Sequence, residues 1–338
     1  MDQSTGTGPK SGLNRGLNRG LTRGLTRGLK MGLLAVLLAA LAGIAVWGGV
    51  GLFRESAATE SYPVVVYVSL PPQASLVRQI GGPHVVVHTL VAAGQDPHLF
   101  EPAPRQLRSL AAAHLYLTIG MPFEQPVLQK IRGHLPKMRV VDSTAGLTRL
   151  PGVACTHDHH HVSEGGTHVC SDSDGDPHVW LSPEGLRTMA KHTAESLAAL
   201  APDHADEFME RLGAVHVEID RADAAAAAIL EPHRGRTMYV FHPAFGYFCE
   251  AYGLRQKAVE VDDKSPSTRQ LRELIHQAKE DRATVVFIQA QFDQHAARAV
   301  AKALDARLVE IDPLAEDAVA HLESLAKTIA SALEESPR

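Results

Sequence analysis

Short apolar runs alternate with amphipathic stretches over residues 63–142. The runs are rich in Val and Leu, which is typical of buried strands. Strands are predicted over 63–70, 84–91, 114–120 and 139–142, and helices over 76–80, 105–113 and 123–134. This order of strand and helix predicts a parallel sheet with helices covering both faces.

Two longer helices are predicted in the middle of the chain. Ser182 and Pro183 are a favourable N-cap and first helical residue, so one helix should run from there to about residue 200. A second covers about 203–230 and would be on the order of 40 Å long, enough to cross from one domain to another. An ordinary surface helix of one domain fits the same spacing equally well. Its apolar positions on one predicted face are Phe208, Leu212, Val215, Ile219, Ala222, Ala226 and Leu230.

The alternation of strand and helix resumes after residue 236. Strands are predicted over 237–241, 256–261, 284–289 and 307–311, and helices over 268–280, 296–304 and 316–333. A chain of 338 residues is long enough to hold two domains, each with its own core. The predicted fold class is therefore α/β, with a parallel sheet flanked by helices in each half.

A basic repeat and an apolar segment precede the first strand. Residues 1–30 carry six Lys and Arg against Asp2 alone and repeat Gly-Leu-Asn-Arg and Gly-Leu-Thr-Arg. Residues 31–53 are 23 uncharged, mostly apolar residues, long enough to span a bilayer and longer than the roughly 7–15-residue core of a signal peptide. The basic side should stay cytoplasmic, which places the body in the periplasm, tethered by 31–53. Release by cleavage near Ala58 is the alternative, and no Cys follows closely enough for a lipoprotein anchor.

A polar stretch over 155–170 is too rich in Gly, Ser, Asp and His for a strand or a core helix. Imidazole is the commonest metal ligand among side chains, so we predict an exposed, metal-collecting loop; a solvated loop without a function is the alternative. Cys155 and Cys170 flank it, and a disulfide between them would contribute roughly 3 kcal/mol in an oxidising compartment. The loop's imidazoles are His157, His159, His160, His161 and His168.

The composition of the chain excludes some classes of partner and of metal site. After residue 30 the chain has 27 basic against 37 acidic residues, which argues against nucleic acid as a partner and suits a protein that attracts cations. The three Cys, at 155, 170 and 249, form no Cys-x-x-Cys, so no thiolate zinc site is indicated. Nineteen His far exceed ordinary usage, and this excess needs a functional reason.

Four candidate metal ligands stand at comparable places in the predicted fold. His98 and His178 each end an Asp-Pro-His triplet in a loop, and His242 and Asp312 follow predicted strands. In open α/β sheets, ligands bind beyond the carboxyl ends of strands, and clefts between domains are favoured. Three imidazoles and one carboxylate can complete a tetrahedral zinc shell. A hydrogen-bonded cleft residue is the alternative for any one of them, but four matched positions favour a metal site.

The residues around these positions resemble those of the zinc-specific solute-binding proteins of bacterial ABC uptake systems, in the group with a rigid helix between lobes. The matching segments are Asp96-Pro97-His98-Leu99-Phe100-Glu101-Pro102, Asp176-Pro177-His178-Val179-Trp180-Leu181-Ser182-Pro183, Phe241-His242-Pro243-Ala244-Phe245-Gly246-Tyr247-Phe248 and Ile311-Asp312-Pro313-Leu314.

The resemblance covers 62–333 and implies two α/β lobes, one long connecting helix and a metal between the lobes. It implies an N-terminal lobe over 62–200 that includes the loop 155–170, a connecting helix over 203–231 and a C-terminal lobe over 236–335. It carries over His98, His178 and His242 as ligands of a transported Zn²⁺, with Asp312 as the fourth. The expected partner is an inner-membrane ABC permease with its cytoplasmic ATPase, and the receptor is expected to be monomeric and not an enzyme.

Three alternatives stay open at this point. One is a manganese or iron receptor of the same family, although manganese-type relatives usually have a carboxylate at the third ligand position, where this chain has His242. Another is a zinc-buffering surface protein or adhesin that relies on the His-rich loop. A zinc hydrolase would need an open coordination position and a general base, and the sequence has no His-Glu-x-x-His.

Overall fold

The computed structural model describes residues 63–151, 175–260, 268–292 and 294–334. The basic repeat 1–30, the apolar segment 31–53, Ala58, the His-rich loop and the pair Cys155 and Cys170 lie outside the described residues, so what was predicted of them stays a prediction. Of the helices that are described, none has both the length and the apolar character that crossing a membrane requires.

The first lobe is formed by β1 (Val64–Val68), α1 (Pro71–Gly81), β2 (Val85–Thr89), α2 (Pro104–Leu110), β3 (Leu115–Thr118), α3 (Glu124–Lys130) and β4 (Arg139–Asp142). The strands form one parallel sheet in the order β2-β1-β3-β4, with Val64 opposite Val85 and Leu115 opposite Arg139. Helix α1 begins earlier than the predicted residue 76, because Pro71 and Pro72 fit the first turn of a helix.

Two long helices follow the first sheet, α4 (Pro183–Leu200) and α5 (Ala205–Leu230). Ser182 Oγ accepts a hydrogen bond from the backbone N–H of Gly185 at 3.1 Å, which confirms Ser182 as the N-cap of α4. The seven apolar positions predicted on one face of α5 are its buried residues. Short 3-10 turns precede α4, separate the two helices and follow α5, at Val179–Leu181, Pro202–His204 and Glu231–His233.

The second lobe is formed by β5 (Thr237–Val240), α6 (Gly246–Tyr252), β6 (Arg255–Ala258), α7 (Thr268–Glu280), β7 (Val285–Gln289), α8 (Gln294–Leu304), β8 (Arg307–Ile311) and α9 (Ala318–Glu334). Its sheet is parallel in the order β6-β5-β7-β8. The sequence pattern missed α6, which is short and rich in aromatic residues of low helix propensity. Burial of Tyr247, Phe248 and Tyr252 stabilises it instead.

Helix α5 connects the two lobes. It packs against α1 and α4 beside the first sheet and against α9, which follows the last strand of the second sheet. The largest apolar core of the described residues accordingly includes buried side chains of both lobes. The structure thus confirms the predicted fold class: two α/β lobes, each with a parallel sheet flanked by helices, joined by one long helix.

Candidate metal centre

Three of the predicted ligands follow the carboxyl ends of strands. His98 lies in the loop after β2, and His178 follows β4 at the end of a long connection. His242 lies two residues after the end of β5, where the backbone leaves the second sheet. Because all strands within each sheet are parallel, these ends gather at one edge of each sheet, which is where α/β proteins bind ligands.

Both Asp-Pro-His triplets adopt the same local turn. Asp96 Oδ1 accepts the backbone N–H of His98 at 2.8 Å, and Asp176 Oδ1 accepts that of His178 at 2.9 Å. An Asp side chain that bonds the backbone two residues later closes a turn, and the intervening proline restricts its backbone. The triplet therefore fixes the backbone of each His before any ligand arrives.

The imidazoles of His98, His178 and His242 converge on one point. Their ring centroids are 5.4 Å apart for His98 and His178, 4.7 Å for His98 and His242, and 5.3 Å for His178 and His242. One ring nitrogen of each lies within 4.8 Å of those of the other two. His178 and His242 are buried and His98 is half-buried. The cluster can therefore offer three nitrogen donors to a single metal ion.

Carboxylates contact the Nδ1 atoms of two of the three rings. His178 Nδ1 lies 2.6 Å from Asp176 Oδ1, and His242 Nδ1 lies 3.2 Å from Glu260 Oε2. An ionised carboxylate accepts the Nδ1 proton, so the Nε2 of each ring is left with its lone pair. Such carboxylate partners fix the orientation of metal-binding imidazoles and raise their basicity toward the metal.

Burial keeps His242 neutral. It strongly lowers the pKa of this imidazole, and repulsion from His178 and then His98 lowers it further. A protonated ring has no lone pair for a metal, whereas a neutral one does. His242 is therefore ready to bind a cation at neutral pH without first losing a proton.

The walls around the three rings are mainly apolar. Phe292 stacks on His242 with ring centroids 4.4 Å apart, and Trp180 Nε1 donates to the carbonyl oxygen of Pro313 at 2.6 Å. The space between these side chains and the three rings is about 10 Å³, roughly what one water molecule or one metal ion needs. An apolar shell of this kind limits the access of water to the site.

Asp312 lies outside the cluster of three imidazoles. Its Oδ1 accepts the side-chain N–H of Gln291 at 2.7 Å and the backbone N–H of Leu314 at 2.9 Å. Gln291 and Leu314 both line the space between the rings. Asp312 therefore positions two residues of the wall of that space. The predicted role of Asp312 as a fourth ligand stays a prediction.

Two residues outside the predicted set, Glu260 and Gln289, position His242. Glu260 accepts from the ring, and Gln289 clamps the backbone: its Nε2 donates to the His242 carbonyl at 2.7 Å and its Oε1 accepts the His242 N–H at 3.3 Å. Gln289 is the polar last residue of an otherwise apolar buried strand, and a polar residue at such a position indicates a specific hydrogen-bonding role. No feature of the sequence around Glu260 indicates a contact with His242.

The chain is similar in sequence to known zinc-binding proteins. The family profile described as ZnuA, zinc-uptake complex component A periplasmic, matches residues 66–335. The chain is 28% identical over 272 residues to the high-affinity zinc uptake system protein ZnuA of Paracoccus denitrificans, covering 72% of this chain and 81% of that protein. It is 28% identical over 248 residues to the zinc-binding lipoprotein AdcA of Streptococcus pneumoniae, covering 72% of this chain but only 48% of AdcA.

The solved structures agree with the sequence comparison. A crystal structure of a deletion mutant of ZnuA with zinc bound superposes with a TM-score of 0.71 at 36% identity, covering 82% of this chain and 99% of that chain. The family profile extends from β1 to the end of α9 and so includes both lobes and all three converging imidazoles. The chain belongs to the ZnuA family of periplasmic zinc-uptake components.

Proposed function

We propose that this chain is the zinc receptor of an ABC uptake system. It captures Zn²⁺ between its lobes on His98, His178 and His242 and delivers it to a permease in the inner membrane, which works with a cytoplasmic ATPase. The observation that carries the proposal is the convergence of three imidazole nitrogens within 4.8 Å of one another. The zinc-binding relatives support the choice of cargo.

The donor set favours zinc over manganese. Zinc is borderline-soft and binds imidazole nitrogen readily, whereas manganese prefers oxygen donors in a larger shell. The carboxylates of Asp176 and Glu260 hydrogen-bond the Nδ1 atoms of His178 and His242 and so act as supports of the nitrogen donors. His242→Glu tests the choice, because an oxygen donor at this position should reduce the preference for zinc over manganese even where zinc still binds more tightly. A ratio of zinc to manganese affinity that does not change would show that residue 242 does not touch the metal.

Binding and release, without catalysis, fit the rest of the site. A zinc hydrolase needs a metal-bound water next to a general base, but Asp176 and Glu260 are engaged with the rings that they orient. The family and the fold are those of metal-binding transport receptors. A monomer that captures one ion and passes it to a membrane partner needs no further chemistry.

Asp176→Asn is expected to weaken zinc binding by about 10- to 100-fold, because the substitution removes the charge that orients and polarises His178. Asp142→Asn is a matched control: Asp142 Oδ1 accepts the backbone N–H and the Oγ1–H of Thr144 at 2.8 and 2.7 Å, in a turn without a His. Titration calorimetry with a competing chelator measures both. Equal affinities in the two variants would show that Asp176 serves the turn alone.

The apolar segment 31–53 is expected to hold the protein on the periplasmic face of the inner membrane. Fractionation of cells followed by N-terminal sequencing of the mature chain tests this. Recovery with the membrane fraction is the expected result. Recovery only from the soluble periplasm, with a chain that starts near Thr59, would show cleavage instead.

Deletion of residues 156–169 is expected to lower the number of zinc ions bound per chain and to leave the tightest site nearly unchanged. Ordering a flexible loop around a metal costs roughly 1 kcal/mol or more of backbone entropy per residue fixed, whereas the cleft imidazoles stand on folded lobes. The deletion mutant of ZnuA was crystallised with zinc bound. If calorimetry shows that the deletion variant has lost the tightest site, the loop is part of the primary site. That result would support the alternative of a zinc-buffering surface protein or adhesin.

A further inference from the structure

A second group of metal-ligating side chains lies at the other end of the first sheet. Within the described residues, His84, His204 and Glu207 each place one ligand atom within 4.8 Å of the others. His84 immediately precedes β2, whereas His98 follows that strand, so roughly 15 Å of extended chain separates the two groups. The group is therefore independent of the cleft.

The three side chains come from two corners that are distant in sequence. His84 ends the 3-10 turn Gly82–His84 that follows α1, and His204 ends the turn Pro202–His204 before α5. Glu207 lies in the first turn of α5. His84 Nε2 lies 2.8 Å from Glu207 Oε2, and the two imidazoles stack with centroids 3.7 Å apart at 19°. Phe208 closes the inner side, with its ring 5.9 Å from that of His84 and 6.3 Å from that of His204.

The group is open to solvent and has an ionised carboxylate. The side chains of His84 and Glu207 are 22% and 38% exposed. Hydrogen bonds from His84 and then from Arg211 lower the pKa of Glu207. Arg211 occupies Oε1 at 2.7 Å and leaves Oε2 facing the imidazole. A cation arriving from solvent therefore meets two imidazoles and one carboxylate oxygen, Oε2 of Glu207, which Arg211 does not occupy.

We propose that His84, His204 and Glu207 form a second zinc site, separate from the transport site and weaker than it. Two imidazoles and one carboxylate are a known donor set for zinc and leave the fourth position to water. The ion takes the place of the hydrogen bond between His84 and Glu207, and the displaced ring proton moves to Nδ1.

Two features make this site weaker than the cleft. A metal ion lies near the plane of each imidazole that binds it, so the nearly parallel rings of His84 and His204 must rotate apart. The guanidinium of Arg211 repels the ion, although the exposed Asp203 and Asp206, which precede His204 and Glu207 in the sequence, oppose that repulsion. The site should therefore fill only after the cleft.

An ion bound there would tie the corner between α1 and β2 to the start of the connecting helix α5. Binding to the folded chain alone raises its stability by mass action. Zinc added beyond the amount that fills the cleft should therefore raise the melting temperature further. This second increment should depend on His84, His204 and Glu207 and be independent of His242.

The test is zinc titration calorimetry on the full-length chain, comparing His84→Ala, His204→Ala and Glu207→Gln with His276→Ala. His276 is a matched control, because its Nδ1 lies 3.5 Å from Glu280 Oε2 on an exposed helix and it belongs to neither ligand group. Each of the first three substitutions should remove one ion per chain from the weaker class, and His276→Ala should remove none. The tightest class, which reports the transport site, should be the same in all four.

An unchanged number of weakly bound ions in the three variants would overturn the proposal, whatever happens in the cleft. Glu207→Gln keeps the size of the side chain and guards against misreading a folding defect as lost binding. Zinc-soaked crystals of the unmodified chain give a second reading. Anomalous scattering at the zinc edge should place an ion in contact with His84, His204 and Glu207, and its absence there would also refute the site.

Discussion

Replacement of His242 by Ala is expected to weaken zinc binding by about 100-fold or more. Structural zinc sites bind their metal with about 10–16 kcal/mol over four ligands, so the loss of one accounts for roughly 3 kcal/mol. His98→Ala and His178→Ala should have effects of the same order, because each ring supplies one of the three converging nitrogens. Titration calorimetry in the presence of a competing chelator measures the change.

The same variants should lose their stabilisation by zinc. At a zinc concentration of 100 times the wild-type Kd, binding stabilises the folded chain by about 2.7 kcal/mol; for a Kd 100-fold higher, the same zinc contributes about 0.4 kcal/mol. His192→Ala serves as control, because that ring contacts the carbonyl of Ala145 beside α4. Melting-temperature shifts with zinc that equal the wild-type shift in all three cleft variants would contradict the assignment.

Acidification is expected to destabilise the metal-free protein through His242. Because burial lowers the pKa of this imidazole in the folded chain, only the unfolded chain takes up a proton as the pH falls below about 6.5. The unfolded state is thereby favoured, and the free energy of unfolding should fall by about 1.4 kcal/mol per pH unit, or roughly 2 kcal/mol between pH 6.5 and 5.

His242→Gln should remove this part of the pH dependence, whereas the exposed His276→Gln should leave it unchanged. Urea unfolding of the metal-free variants at several pH values between 7 and 5 measures the slopes. Only the difference in slope matters, so a general loss of stability in one variant does not affect the conclusion. Identical slopes for wild type and His242→Gln would show that the ring titrates normally in the folded chain.

Local patterns were sufficient for much of the fold. The predicted bounds of β4, α7 and β8 coincide with those of the structure, because Val-rich runs and amphipathic periodicity are properties of the segment itself. The buried face of α5 could likewise be predicted from the spacing of its apolar residues. Helix α6 could not be predicted, because its aromatic residues are held in a helix by packing against the rest of the chain.

Part of the metal site could likewise be predicted from local sequence patterns, and part could not. His98, His178 and His242 were identified because parallel strands end at a common edge and because the Asp-Pro-His turns recur. The contacts of Glu260 and Gln289 with His242 depend on how neighbouring strands of the second sheet align, which no local pattern encodes. The same is true of His84 and His204, which meet only because the corner after α1 packs against the corner before α5.

Zinc bound by three imidazoles between the lobes should be directly visible in crystals. Crystals of the full-length protein, purified without a His tag, should be measured on both sides of the zinc absorption edge. We expect the dominant anomalous peak to lie about 2.0–2.1 Å from a ring nitrogen of each of His98, His178 and His242 and to vanish below the edge. A peak at these rings that persists below the zinc edge, or a dominant zinc peak away from them, would contradict it.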